Sequence, residues 1–463
     1  MARIIQNDKA LAVNPLKVSQ PVGASLAFLG LERAMPLEHG ARGCASFNKL
    51  FFMRHFAEPI ALQTTAMDQV TTVIGADDNV VEALATIAGR EAPAVIGLIT
   101  TGLSETQGAD IPRTIRAFRI AHPEYDGVAV IPVNATDTQG CLESGFALAL
   151  ERILATLGPT APSKVTRPHQ VTVLAGSLLT PSDLDALRDW IEAFGLSPVI
   201  LPDLADSLDG HLIEEGYSPL TYGGTPTGRI ASLGESIATL VIGRSLDRAA
   251  DLLAERTGCP DHRFPHLHGI DACDAFTLTL SRLSGRPVPA RIERARSRLQ
   301  DAMVDCHVPL GGARLALAAD PDLLAALTGL FSGWGAEIIA AVAAARGKGL
   351  ADLPLDEVRI GTLDDLERLA TERAADLLVT NSHGAPIAGR LALPLLRAGF
   401  PLYDIQGGHA WTWIGYEGAR QTLFATANLL AAHFQEIPPF HSIYRQPAPS
   451  RPADEPAAGS PRC

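Results

Sequence analysis

The amino-acid sequence predicts an α/β protein of three Rossmann-like, doubly wound domains, each a parallel sheet flanked by helices. Three observations lead there. A chain of 463 residues exceeds what one hydrophobic core serves and suits about three domains of roughly 150 residues each. A content of 47% hydrophobic and 19% charged residues is globular composition, rich enough in apolar surface for several cores. From Ala94 onward, short apolar runs, loops carrying Gly, Ser or Thr, and segments of helical period follow one another, the alternation of parallel α/β layers.

Taken in order, residues 95–100 and 128–133 read as buried strands, the second followed by a loop and a helix over 142–156. Three prolines within 159–168 mark a linker, so a first domain is expected over 1–165. The second, 166–287, opens with a strand at 171–175 and a helix started by Thr180-Pro181-Ser182-Asp183, where Thr or Ser caps and Pro suits the first turn. Strands at 197–201 and 238–242 follow, then helices around 246–256 and over 271–284, the latter stopped by Gly285. An Arg- and Glu-rich amphipathic helix at 289–307 hands the chain to the third domain, 288–437. Here a strand at 314–318, a helix at 320–334 and strands at 337–342 and 377–380 repeat the pattern. Residues 438–463 form a Pro/Ala-rich segment that cannot bury a core, so a disordered tail is expected, with Cys463 an exposed thiol within it.

The formal charge of -13 argues against nucleic acid, because a polyanion needs a basic face and no dense Lys/Arg cluster is present. The N-terminal segment has no apolar core followed by a small-residue cleavage site, so a cytoplasmic protein is expected. Apolar stretches such as 338–345 fall well short of the roughly 20 residues that span a bilayer, so no membrane association is expected. The six cysteines, Cys44, Cys141, Cys259, Cys273, Cys306 and Cys463, are too sparse for a disulfide framework; any special one is a ligand or a buried thiol.

Neither GxxxxGK[ST] nor GxGxxG occurs. Gly223-Gly224-Thr225-Pro226-Thr227-Gly228 is glycine-rich, but it is not set tightly between a strand and a helix. In His39-Gly40-Ala41-Arg42-Gly43-Cys44, two glycines flank a bend that places a thiol before the apolar segment 47–56. Glycine admits backbone N–H groups to an inorganic sulfide; equally, a lone Cys after Gly is a packed small residue. Cys259, His262, His266, His268 and Cys273 offer zinc-type donors within fifteen residues, yet their spacing matches no common finger or ribbon, and a polar connecting loop is the other reading. His383 and the stretch Asp404 to His409 lie near predicted strand ends, where α/β folds place ligands. Trp411 and Trp413 read as core or interface aromatics. No nucleophile elbow or telling carboxylate pair marks a catalytic residue.

Several ordered segments together resemble the nitrogenase β-subunit superfamily (nitrogenase component 1), and most closely the β-like subunits of the scaffold on which the iron-molybdenum cofactor is matured. They are Asn14-Pro-Leu-Lys-Val-Ser-Gln-Pro-Val-Gly-Ala, the HGxxGC stretch ending at Cys44, Arg54-His55-Phe56-Ala57-Glu58-Pro59-Ile60, Thr64-Thr65-Ala66-Met67-Asp68, the stretches 271–285 and 294–307, and Gly415-Tyr416-Glu417-Gly418-Ala419. Nitrogenase β subunits supply three cysteines to the P-cluster. Here the matching positions are Cys44, Leu62 and Gly102, which argues against such a cluster. The resemblance instead implies one [4Fe-4S] cluster at an interface, ligated by Cys44 of this chain and by three cysteines of a NifE-like α subunit, in an α2β2 heterotetramer. It further implies an iron-molybdenum cofactor precursor bound mainly by that partner, a precursor donor protein NifB, and transient docking of the nitrogenase iron protein. Cys141 is expected to be buried and structural. The alternative is the β subunit of a nitrogenase-like reductase complex.

Overall fold

The protein is described from a computed structural model over residues 1–6, 14–212 and 218–433; the expected tail at 438–463 and Cys463 lie outside the described residues. Strand β1 (Arg3–Gln6) precedes a first sheet of β2 (Ala34–His39), β3 (Gln63–Thr64), β4 (Val95–Thr100) and β5 (Ala129–Val133). A second sheet holds β6 (Gln170–Ala175), β7 (Ser197–Leu201), β8 (Ala238–Ile242) and β9 (Asp261–Phe264). The third holds β10 (Arg314–Ala319), β11 (Glu337–Ala343), β12 (Glu357–Ile360), β13 (Leu377–Thr380) and β14 (Leu395–Arg397).

All strand pairs are parallel. Residues of β2, β4, β6, β8 and β13 are buried throughout, as continuous apolar runs require when helices cover both faces. The sheet orders are β3-β2-β4-β5, β7-β6-β8-β9 and β1-β12-β11-β10-β13-β14. In each, the order reverses between two central strands: β2 and β4, β6 and β8, β10 and β13. Loops leaving the carboxyl ends of such strands diverge and open a crevice, and the chemistry-bearing residues collect there.

Helix Gln20–Leu29, nearly all buried, lies against helix Leu142–Leu157. A Cβ at Gly23 would come within 1.8 Å of Leu142 O, and one at Gly145 within 2.0 Å of Gln20 O. Each glycine therefore permits a backbone approach that any larger residue forbids. The helix expected to start at Thr180-Pro181-Ser182-Asp183 runs over Pro181–Glu192, with Thr180 Oγ1 accepting from Asp183 N at 3.0 Å and the Asp183 carboxylate accepting from Thr180 N at 3.0 Å, the reciprocal capping box. Asp183 Oδ1 also accepts from Trp413 N (2.6 Å) and Ile414 N (3.0 Å), tying the second sheet's first helix to the start of the last helix, Gly415–Ala432.

Candidate functional site

At the end of β2 the chain turns over Gly40 and Ala41 and enters helix Arg42–Phe56. The expected bend between Gly40 and Gly43 is corrected: Gly43 and Cys44 stand in the helix's first turn. The turn is compressed because Met67 N donates to Gly40 O at 2.9 Å and Ala41 bridges Met67, which pins the entry. A Cβ on Gly40 would meet Thr101 Oγ1 at 2.8 Å, whereas one on Gly43 would meet nothing within 4 Å. Glycine is thus needed at the first position for passage over the end of β4, and at the second it leaves the approach to the neighbouring thiol uncovered.

Cys44 is exposed. Its thiol is held above the usual range by partial burial, then by the carboxyls of Asp137 and Glu38, so it stays protonated until a cation takes the proton's place. Beneath it, Glu38 is buried, accepting from Ser25 Oγ (3.1 Å) and Asn48 Nδ2 (2.9 Å), and burial pushes its carboxyl up to about 7. His39 Nδ1 sits 2.9 Å from Thr65 Oγ1, and burial lowers the ring to about 4. Across the switch point, Thr101 Oγ1 donates to His39 O (2.9 Å) and Gly102 N to Asp137 Oδ2 (3.1 Å).

Leu62 is a buried core residue, and Gly102 opens the short helix Gly102–Gln107; neither position offers a donor side chain. Among the described residues, no group of three or more His, Cys, Asp or Glu is placed to hold a metal ion. The described residues here therefore offer one thiol, which fits a single ligand to an iron-sulfur cluster and not the four that a [4Fe-4S] cluster takes. Two features beside Cys44 escaped the sequence reading. Phe47 (65% exposed), Leu50 and Met53 form an outward apolar stripe on the same helix, and helix Gln69–Ile74 buries no residue, exposing Val70, Val73 and Ile74. Apolar residues recurring every three positions between Arg42, Lys49 and Arg54 were the available signal.

The other sequence candidates do not join this site. Cys141 is buried and caps helix Leu142–Leu157. Cys259 Sγ donates to Ser236 O (3.3 Å) and Cys273 Sγ to Leu267 O (3.5 Å), so the cysteine- and histidine-rich stretch is structural connection. In the glycine-rich loop, Gly224 N donates to Asp206 Oδ2 (2.9 Å) and Thr225 Oγ1 to Ile200 O (2.6 Å); a carboxylate occupies the donor that a phosphate would need. His383 and the stretch after Asp404 buttress the far end of the Cys44 helix: His383 packs edge-on against Phe51, and His409 Nδ1 meets His55 O at 3.0 Å. A narrow cavity of about 70 Å³ lies where the carboxyl ends of the second and third sheets face this helix, lined by His55, Ser177, Thr180, Asp320, Asn381 and Phe400 among others. Its walls come from residues over 300 positions apart, which no local pattern reveals.

Residues 19–431 match the family model described as nitrogenase component 1 type oxidoreductase. The chain is 46% identical over 96% of its length to the nitrogenase iron-molybdenum cofactor biosynthesis protein NifN of Klebsiella pneumoniae, covering 97% of that protein. It is 43% identical to the NifN of Bradyrhizobium diazoefficiens, over 94% of this chain and 93% of that one. Among solved structures, a chain of nitrogenase Cp1 at pH 6.5 superposes with a TM-score of 0.85 at 30% identity, covering 92% of this chain and 94% of that one. A parallel-sheet α/β fold with three switch points, matched over nearly its whole length, places the protein: the chain belongs to the nitrogenase component 1 type oxidoreductase family.

Proposed function

We propose that the chain is the β-like half of a scaffold on which an iron-sulfur precursor is matured to the iron-molybdenum cofactor before transfer to apo-nitrogenase. In this reading Cys44 gives one ligand to a [4Fe-4S] cluster shared with an α-like partner of the NifE kind, two copies of each forming the assembly. The observation that carries it is the exposed Cys44 thiol in the first turn of a helix, with no group of three or more metal-ligating side chains among the described residues to complete a site within this chain. A cluster completed across an interface exists only in the assembled state and stabilises it. Bound there, it supplies electron relay; the residues of this chain orient and cover it. The helix N-terminus favours the negative charge of a thiolate-ligated cluster, and the exposed stripe of Phe47, Leu50 and Met53 offers the partner an apolar seat that excludes water. In the same reading the precursor is bound mainly by the α-like partner, a donor of the NifB kind delivers it, and the nitrogenase iron protein docks transiently on the assembly.

The test is anoxic co-expression with the α-like partner, with and without Cys44→Ala, followed by iron and sulfide analysis and EPR of the reduced complex. Loss of the four-iron signal with the assembly retained is the expected result. An unchanged signal and iron content would remove Cys44 from the ligand set. Transfer of matured cofactor to apo-nitrogenase separates the scaffold from a reductase, which would instead turn over substrate itself.

A further inference from the structure

The wall of the central cavity carries a knot of acids. Cys141 caps helix Leu142–Leu157 and Asp320 caps helix Pro321–Gly333, so the two helices meet N-terminus to N-terminus. They cap each other: Asp322 N donates to Glu143 Oε2 at 2.7 Å, and the Glu143 amide faces the Asp320 carboxyl. The chain of contacts continues into the second sheet, where Ser245 N donates to Asp322 Oδ2 at 2.9 Å. Three carboxyls thus join all three sheets, with Glu143 5% and Asp322 3% exposed.

Among the described residues none of the three pairs with Arg or Lys. The nearby cations are engaged elsewhere: Arg244 with Asp352 (2.8 Å), and Lys348 (3.2 Å) and Arg263 (3.5 Å) with Asp247. The groups facing the knot are Cys141 from its own helix start, Asp247 from the second sheet and, across the cavity, the buried and neutral His55. Two helix N-termini offset part of one negative charge; they cannot offset three in so little water. Asp320 Oδ1, on the cavity wall, is buried with no hydrogen-bond partner, and a mostly apolar cavity of this size still accepts water where Glu143, Ser177, Thr180 and Asp320 line it.

We propose that this knot is a proton-controlled latch: protons delivered by water in the cavity to Asp320 and Glu143 keep the two helix starts docked, and their loss drives the helices apart and opens the cavity. The inference goes beyond the scaffold reading and does not depend on it. Burial raises Asp320 to about 7 and Glu143 well above the usual carboxylate range. A carboxyl with a raised native value stabilises the fold in acid, and that contribution fades as pH climbs through the native value. The latch is therefore closed in mild acid and released on the alkaline side of neutrality.

The experiment is amide hydrogen exchange by mass spectrometry on the full-length protein at about pH 6 and about pH 8.5, corrected for intrinsic exchange. Peptides covering 141–146, 243–247 and 319–324 are expected to exchange about tenfold faster at the higher pH in the wild type, and with less than about half that change in Glu143→Gln. Equal pH dependence in both, or none in the wild type, overturns the latch. Should Glu143→Gln fail to fold, the infrared carbonyl band of buried protonated carboxyls in the wild type decides: its loss between the two pH values supports the latch, and its absence at the lower one overturns it.

Discussion

His268 is 2% exposed, and neither ring nitrogen has a hydrogen-bond partner. Burial holds it near 3, as it holds His55 near 3 and His39 and His266 near 4. These rings are neutral in the native protein, whereas the unfolded chain takes up protons below about pH 6.5. Stability therefore declines as pH falls from there towards 4, with the unfolded state binding the extra protons. Denaturant midpoints at about pH 7 and about pH 5 should show this, and His268→Phe, which removes two unpaired buried nitrogens beside Trp413, should gain about 1 kcal/mol at neutrality and flatten the acid limb. A steeper limb in the variant would refute the neutral assignment. At the same scale Cys44 was legible only through its neighbours in sequence. The HGxxGC spacing drew attention to the thiol, while its helical setting depends on Met67 holding Gly40 from a distant turn, which spacing cannot show.

Among elements, strands such as 197–201, 238–242 and 377–380 were legible to the residue because each is a short, mainly apolar and almost wholly buried run between turns. The helix start at Thr180 was legible because its cap is local. The crossing of helices Gln20–Leu29 and Leu142–Leu157 was not: Gly23 and Gly145 look like ordinary helix-weakening glycines until both are seen at one contact point. Gly23→Ala and Gly145→Ala should each cost about 2–4 kcal/mol, since the new methyl meets backbone that cannot swing away. Urea denaturation measures this; a loss near the few tenths typical of an exposed site would mean that the helices separate freely. Gly43→Ala, facing open space, is the control and should leave the unfolding midpoint unchanged or slightly raised.

For the molecule as a whole, the α/β class and the threefold repetition were readable, but the couplings between the sheets were not, because buried carboxyls make them over hundreds of positions. Asp183, closing its own helix and accepting two amides ahead of the last one, is the clearest case. Asp183→Ala would orphan the buried N–H groups of Trp413 and Ile414 and the half-buried one of Thr180 and should cost about 3 kcal/mol or more. A broadened thermal transition would show the second and third sheets parting company, and an unchanged, single sharp transition would show that the contact is dispensable. Strand β1 was equally hidden, since Arg3–Gln6 pair with Glu357–Ile360, more than 350 positions away. Strand β1 therefore waits for its neighbour until more than 350 further residues have been added. Any bulk fused ahead of Arg3 would therefore burden the late pairing that adds this edge to the third sheet.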